Sequence, residues 1–219
     1  MERYEVTITG QSPLLMHQDD LEWRGKIDAW LRVAENKKNS KAGDDRTPAW
    51  KWIGYCYRDA HHVGIPSDNL MTLLREGGAK VPTGKKGATF KRQSQSGLIV
   101  DAMLWPLTIP NGVVPWQPIL DLMTEPDYLA HEARALALGF VLFAKGVKVG
   151  QSKHIRVRPR FDAWSATGTI SVLDDSITED VLRSILEMGG MYCGLGDWRP
   201  SSPSKPGPFG RFTSQIRKV

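Results

Sequence analysis

Cysteine is nearly absent from this chain, with two in 219 residues, Cys56 and Cys193. They lie far apart and have no second Cys or His at ligand spacing, which argues against a disulfide framework and a structural zinc site. Two buried thiols in a reducing compartment are expected instead. No apolar run approaches the ~18 residues of a membrane span. The opening MERYEVTITG alternates like a strand and lacks the apolar core of a signal peptide, so neither a membrane partner nor export is expected and the cytoplasm is the expected location. Nucleotide-binding fingerprints are missing too. No Gly-rich loop ends in the Lys-Ser or Lys-Thr of a P-loop, no dinucleotide fingerprint follows a strand, and Gly10-Gln11-Ser12-Pro13 is no nucleophile elbow. No cofactor and no metal site are expected, and no internal repeat of fixed period is present.

Apolar residues make up 41% and charged residues 24%, ordinary values for a globular protein. A chain of this length buries roughly 70% of its unfolded surface, so 1–219 reads as one domain that folds without a staple. Lys and Arg outnumber Asp and Glu by 29 to 24, a net charge of +5. Placement says more than the total. Acids gather at Asp19, Asp20 and Glu22 and again at Asp121, Glu125, Asp127 and Glu132, whereas 80–97 and 145–160 contain none. Such separation points to a partner dense in negative charge.

Tyr4, Val6 and Ile8 alternate with polar residues as a first strand, ended by Gly10, Ser12 and Pro13. Residues 20–35 read as an amphipathic helix with Leu21, Ile27, Trp30, Leu31 and Ala34 near one face, and 36–48 as a flexible linker. Residues 50–63, carrying Trp50, Trp52, Tyr55 and Tyr57, look strand-like. Pro66 and Ser67 open a short helix through Leu70, Met71, Leu73, Leu74 and Ala79, and 98–109 returns to strand. Tyr128 to about Leu138 fits a longer helix, and strands follow from Phe140. Ser176 with Glu179 forms a capping box for a helix bearing Leu182, Ile185 and Leu186, and Phe209–Ile216 is a last strand. The order predicts an α+β fold: a ferredoxin-like (RRM-type) antiparallel sheet with helices on one face, one free face and long insertions.

The strongest chemical signal is 145–160, with Lys145, Lys148, Lys153, Arg156, Arg158 and Arg160. Strict alternation turns Ile155, Val157, Pro159 and Phe161 inward and puts the three arginines on the other face. Lined up about 6.6–7 Å apart, with bidentate donors suited to phosphate, they predict contact with a nucleic-acid backbone. The second signal is the basic loop 80–97, where Lys85, Lys86, Lys91 and Arg92 sit among glycines and could order on binding. The third is Gly194-Leu195-Gly196-Asp197-Trp198-Arg199-Pro200, continuing to Gly210-Arg211, where glycines let the backbone approach a ligand, Arg199 and Arg211 flank it and Trp198 offers a base-stacking face. Of the eight tryptophans, most are expected in the core. Trp164 and Trp198 are the two stacking candidates.

Three segments resemble the RAMP superfamily of CRISPR-associated proteins: Ile8-Thr9-Gly10-Gln11-Ser12-Pro13-Leu14-Leu15, the helix start Ile65-Pro66-Ser67-Asp68-Asn69-Leu70 through Arg75, and the glycine-rich C-terminal loop. Asp68 replaces a usually small residue, and together the segments cover about a fifth of the chain. A weaker similarity is to stand-alone phage or prophage proteins carrying a Gly-Asp-Trp-Arg-Pro stretch. The resemblance implies an RRM-type fold, non-catalytic binding of single-stranded nucleic acid (RNA rather than DNA) across the open sheet and the basic loop, and a homo-oligomer or filament along the strand. Two other readings stay open. One is an RNA-cleaving enzyme of the same fold using His17, Asp19 or Asp20, against which stands the plainer role of Asp20 and Glu22 as helix N-terminal charges. The other is a phage protein-interaction module acting on a defence complex.

Overall fold

A computed structural model describes residues 1–203 and 205–219, with Val149 described by its backbone alone. The strands are β1 (Glu2–Gly10), β2 (Leu14–Leu15), β3 (Gly64–Pro66), β4 (Leu98–Val100), β5 (Leu104–Ile109), β6 (Gly112–Val113), β7 (Val141–Val149), β8 (Ser152–Phe161), β9 (Ser165–Val172) and β10 (Phe212–Lys218). The helices are α1 (Leu21–Arg32), α2 (Ala34–Asn39), α3 (Ser67–Gly78), α4 (Lys91–Ser96), α5 (Gln117–Leu120), α6 (Tyr128–Ala137) and α7 (Glu179–Met188).

The class is mixed α and β with antiparallel sheets. The larger sheet runs β10-β1-β9-β5-β3, with β4 pairing a second stretch of β9 and β6 pairing β5. The alternation of β1 places Tyr4, Val6 and Ile8 in a core shared with Leu70, Leu73 and Leu74 of α3 and Leu182, Ile185 and Leu186 of α7. The absent side chain of Gly77 lets α3 approach the Ile185 carbonyl of α7 closely. On the opposite side of the sheet, the hydroxyls of Thr7 and Thr167 meet at 2.9 Å, and the charges are paired as Arg3 with Asp101 and Arg217 with Glu5. That face is rich in threonine, and the aromatic rings of its strands, Tyr4 and Phe212 among them, turn to the core.

The second sheet, β2-β8-β7, is a long hairpin with a short strand at its base. Gly150, at φ +58, takes the first position of its two-residue turn, where a tight hairpin favours glycine. Val157, Pro159 and Phe161 are buried as their alternation predicts. No helix among the described residues is long and apolar enough to cross a membrane.

Several local expectations are corrected. The flexible linker expected at 36–48 holds α2 and a turn whose Asp44 and Asp45 are buried. The strand expected at 50–63 is a 3-10 turn, Lys51–Tyr55, with Trp52 and Ile53 fully buried. Its aromatic spacing serves a compact turn whose Trp52 Nε1 donates to His131 Nδ1 at 3.1 Å, leaving His131 Nε2 to donate to the Glu125 carbonyl. The basic loop 80–97 is shorter than expected, because a bridge joins Pro82 to Thr89 and α4 begins at Lys91. The cap of α7 is Thr178, whose hydroxyl accepts from Val181 N, in place of Ser176. In α1 the apolar stripe is only half used. Trp23 is buried, whereas Leu21 is 75% exposed.

Candidate nucleic-acid interface

The alternation of β8 delivers Arg156, Arg158 and Arg160 to one face, as the sequence predicts, but none of the three is free. Arg156 donates to Asp45 Oδ1 at 3.1 Å, Arg158 Nε lies 2.9 Å from Asp197 Oδ2, and Arg160 grips both oxygens of Asp162 at 2.8 and 3.1 Å. The Arg158 contact is an ion pair without an aligned hydrogen bond. The stretch 145–160 is acid-free in sequence, yet two distant segments supply Asp45 and Asp197, and Asp162 follows directly on the end of β8. An unpartnered arginine ladder is therefore corrected to a set of ion pairs that fixes neighbouring segments onto the hairpin. Asp45 does so most firmly. It is 1% exposed, also holds Lys51 Nζ at 2.9 Å, and its backbone N donates to the Ile155 carbonyl on the free edge of β8.

The glycine-rich loop is anchored in the same manner. Arg199 pairs with Glu76 of α3 at 3.6 Å, and Arg211 donates to the Met191 carbonyl. Trp164, expected as a stacking face, is 3% exposed and donates to the Ser12 carbonyl at 2.9 Å. Trp198 differs. It is half-buried at φ +50, a left-handed conformation rare for a bulky residue, and Lys145 Nζ stands 3.6 Å over its ring. Such backbone strain clusters where structure serves function.

Two clefts adjoin the hairpin. The first, about 360 Å³, is lined by Lys145, Lys148, Arg158, Asp197, Trp198, Ser202 and Lys205. Its single carboxylate, Asp197, is taken by Arg158. Among the described residues, Lys145, Lys148, Lys153 and Lys205 pair with no carboxylate, nor do Lys85, Lys86, Lys91 and Arg92. The second, about 580 Å³, gathers His17, Asp19, Asp20, Lys51, Tyr55, Arg156 and Arg158. Sequence reasoning named most of these residues without seeing that they share a cleft. Lys51 and Tyr55 had no signal beyond aromatic spacing, and Lys205 none beyond its glycine- and proline-rich surroundings.

Asp19 and Asp20 of the second cleft are engaged, whereas Asp28, also on its wall, pairs with no cation among the described residues. Asp20 caps α1 by accepting from Trp23 N and pairs with Arg58 at 2.9 Å, while Asp19 pairs with Arg24. No three His, Cys, Asp or Glu residues among those described come close enough to hold a metal ion. Burial among the cleft walls and, second, the Arg158 guanidinium hold His17 below its ordinary pKa. The folded state thus favours the neutral ring, so on acidification the unfolded chain binds a proton first. Stability should be complete above about pH 6.5 and fall as pH drops toward the lowered folded value. His17→Gln should flatten the pH dependence of the urea midpoint between about pH 5 and 7. An unchanged slope would remove His17 from that account.

Both cysteines are free and buried. Burial raises Cys56, and burial with the nearby Glu76 pushes Cys193 up to about 11. Both thiols stay protonated near neutrality, unsuited to nucleophilic attack.

The three segments that carry the family resemblance meet in space. Gly210 N donates to the Pro13 carbonyl at 2.8 Å and Asp197 N to the Leu15 carbonyl at 2.7 Å. Asn69, Thr72 and Leu73 of α3 face Gly194, Leu195, Gly196 and Arg199. Gly210 is indispensable at this junction, since an added Cβ would run into the Leu195 carbonyl at a φ of +74. The fold and cleft thus define a mixed α and β protein with a lysine-lined, tryptophan-floored groove beside a hairpin. Compared with known proteins, the chain matches no family model and no curated protein.

Proposed function

We propose that the chain binds single-stranded nucleic acid, RNA by preference, without cutting it, and that it assembles along the strand as a homo-oligomer. The observation that carries the binding reading is the cleft that Lys145, Lys148 and Lys205 line together with Trp198, with no carboxylate left to neutralise them. A cationic groove supplies phosphate affinity, and an aromatic face accepts any base. The lysines are the phosphate contacts in this reading. Arg158 holds the groove's wall through Asp197, while Arg156 and Arg160 are tied to Asp45 and Asp162. Stacking across the open sheet is dropped, because that face presents threonines.

The preference for RNA and the assembly along it rest on the resemblance to RAMP proteins. A ferredoxin-like core is part of the same proposal. Supporting it are the strand neighbours β10, β1, β9 and β4, with α3 followed by the short α4 before β4 and α7 preceding β10, and the meeting of the three resembling segments. Beyond that core lie the second sheet and the β5-β3 extension.

Fluorescence anisotropy of a labelled oligouridylate, titrated at several salt concentrations, tests the reading. With about three phosphates neutralised, log affinity should fall with log salt with a slope of about −2 or steeper. A slope near zero, or no binding at low salt, would refute it. The cleavage alternative has the His17 cleft in its favour. Labelled RNA left intact with and without magnesium would dispose of it.

A further inference from the structure

On the far side of the glycine-rich loop lies a third cleft, about 510 Å³, lined by Arg75, Glu76, Lys80, Lys91, Gln95, Cys193 and Ser201. We infer that this cleft is a second phosphate-binding site, taking a neighbouring part of the same nucleic-acid strand that occupies the Trp198 groove. The inference rests on the binding reading above and extends it to residues of α3 and α4.

The charge balance of the cleft favours an anion. Arg75, Lys80 and Lys91 pair with no carboxylate among the described residues. Glu76, its one acid, is already engaged: Oε2 accepts from the Ser201 hydroxyl at 2.6 Å and Oε1 lies 3.6 Å from Arg199. Three cations thus face solvent around a neutralised carboxylate.

An aromatic ring stands beside one of them, Lys80. Tyr192 is 52% exposed, and Lys80 Nζ lies 5.6 Å from its centroid. The arrangement repeats that of the first groove, where Lys145 covers Trp198. Each site therefore pairs an aromatic ring with a lysine, the features that single-strand binders combine; at Trp198 the lysine lies over the ring and a stacking base would displace it onto phosphate.

Position links the two. Ser201 lines this cleft and Ser202 lines the Trp198 groove, and consecutive Cα atoms are only about 3.8 Å apart. Adjacent residues line the two clefts, and a flexible polyanion passing Ser201–Ser202 would reach both. Lys91, from the basic segment 80–97, and Lys145, from the basic hairpin, thus flank a common wall.

The test is the anisotropy titration with four variants, Lys80→Glu, Tyr192→Ala, Lys145→Glu and Trp198→Ala, all at partly or fully exposed positions, with thermal melts to confirm that each folds. Oligouridylate and oligothymidylate of about four and about twelve nucleotides, lengths that bracket small single-strand sites, are the probes. For the longer probes Lys80→Glu and Tyr192→Ala should each weaken binding about tenfold, and Lys80→Glu should make the salt slope shallower by about 0.7. If these two bind like the unaltered chain while Lys145→Glu and Trp198→Ala are impaired, the second site is wrong and the first groove stands. If all four bind unchanged, the binding reading itself fails.

Discussion

Asp45→Ala should lower the stability of the fold by about 3–5 kcal/mol, the usual cost of removing one partner from a buried ion pair. Asp45 is almost wholly enclosed and answers to two cations, Lys51 at 2.9 Å and Arg156 at 3.1 Å, and to the Val157 backbone N at 3.4 Å. Truncation leaves both cations without their anion and a backbone donor without its acceptor. Lys51 and Arg156 are 20% and 31% exposed, so water relieves part of the penalty and the lower end of the range is expected. A urea titration should show a lower midpoint at unchanged slope. A loss under about 1 kcal/mol would mean that the 44–45 turn does not pin the hairpin. Asp45→Asn, which keeps the shape and removes the charge, separates lost charge from lost packing.

The largest effect on binding is expected from reversing Lys145, Lys148 and Lys205 to glutamate together. Each charge-assisted contact to phosphate contributes about 1.5 kcal/mol or slightly less, so the triple change should cost about 4 kcal/mol, a fall in affinity of about a thousandfold. The slope of log affinity against log salt should become shallower by about two, since three phosphates lose their partners. All three residues are free of carboxylate partners among those described, and a thermal melt of the triple variant checks the fold, since Lys145 also rests on the Trp198 ring. An affinity within about threefold of the unaltered chain would remove this groove from the interface.

The sequence and the tertiary structure divide this protein along a physical line. Periodicity is local, so the chain alone announced β1 through Tyr4, Val6 and Ile8, α3 and α7 through their leucine spacing, and the inward set Val157, Pro159 and Phe161 of β8. It also placed Arg156, Arg158 and Arg160 on one face, because a strand alternates whatever surrounds it. Charge pairing is not local. Asp45 lies 111 residues before Arg156 and Asp197 lies in the glycine-rich loop, so an acid-free run in sequence gave no warning of these two pairs; only Asp162, two residues after Arg160, was close by in the chain. The same reach across the chain buried Asp44 and Asp45 within the expected linker, sent Trp164 into the core and left Trp198 at the groove. Side-chain direction is written in the order of residues. Which charges remain unsatisfied is decided only once distant segments have been folded against one another, because electrostatic energy depends on distance through space.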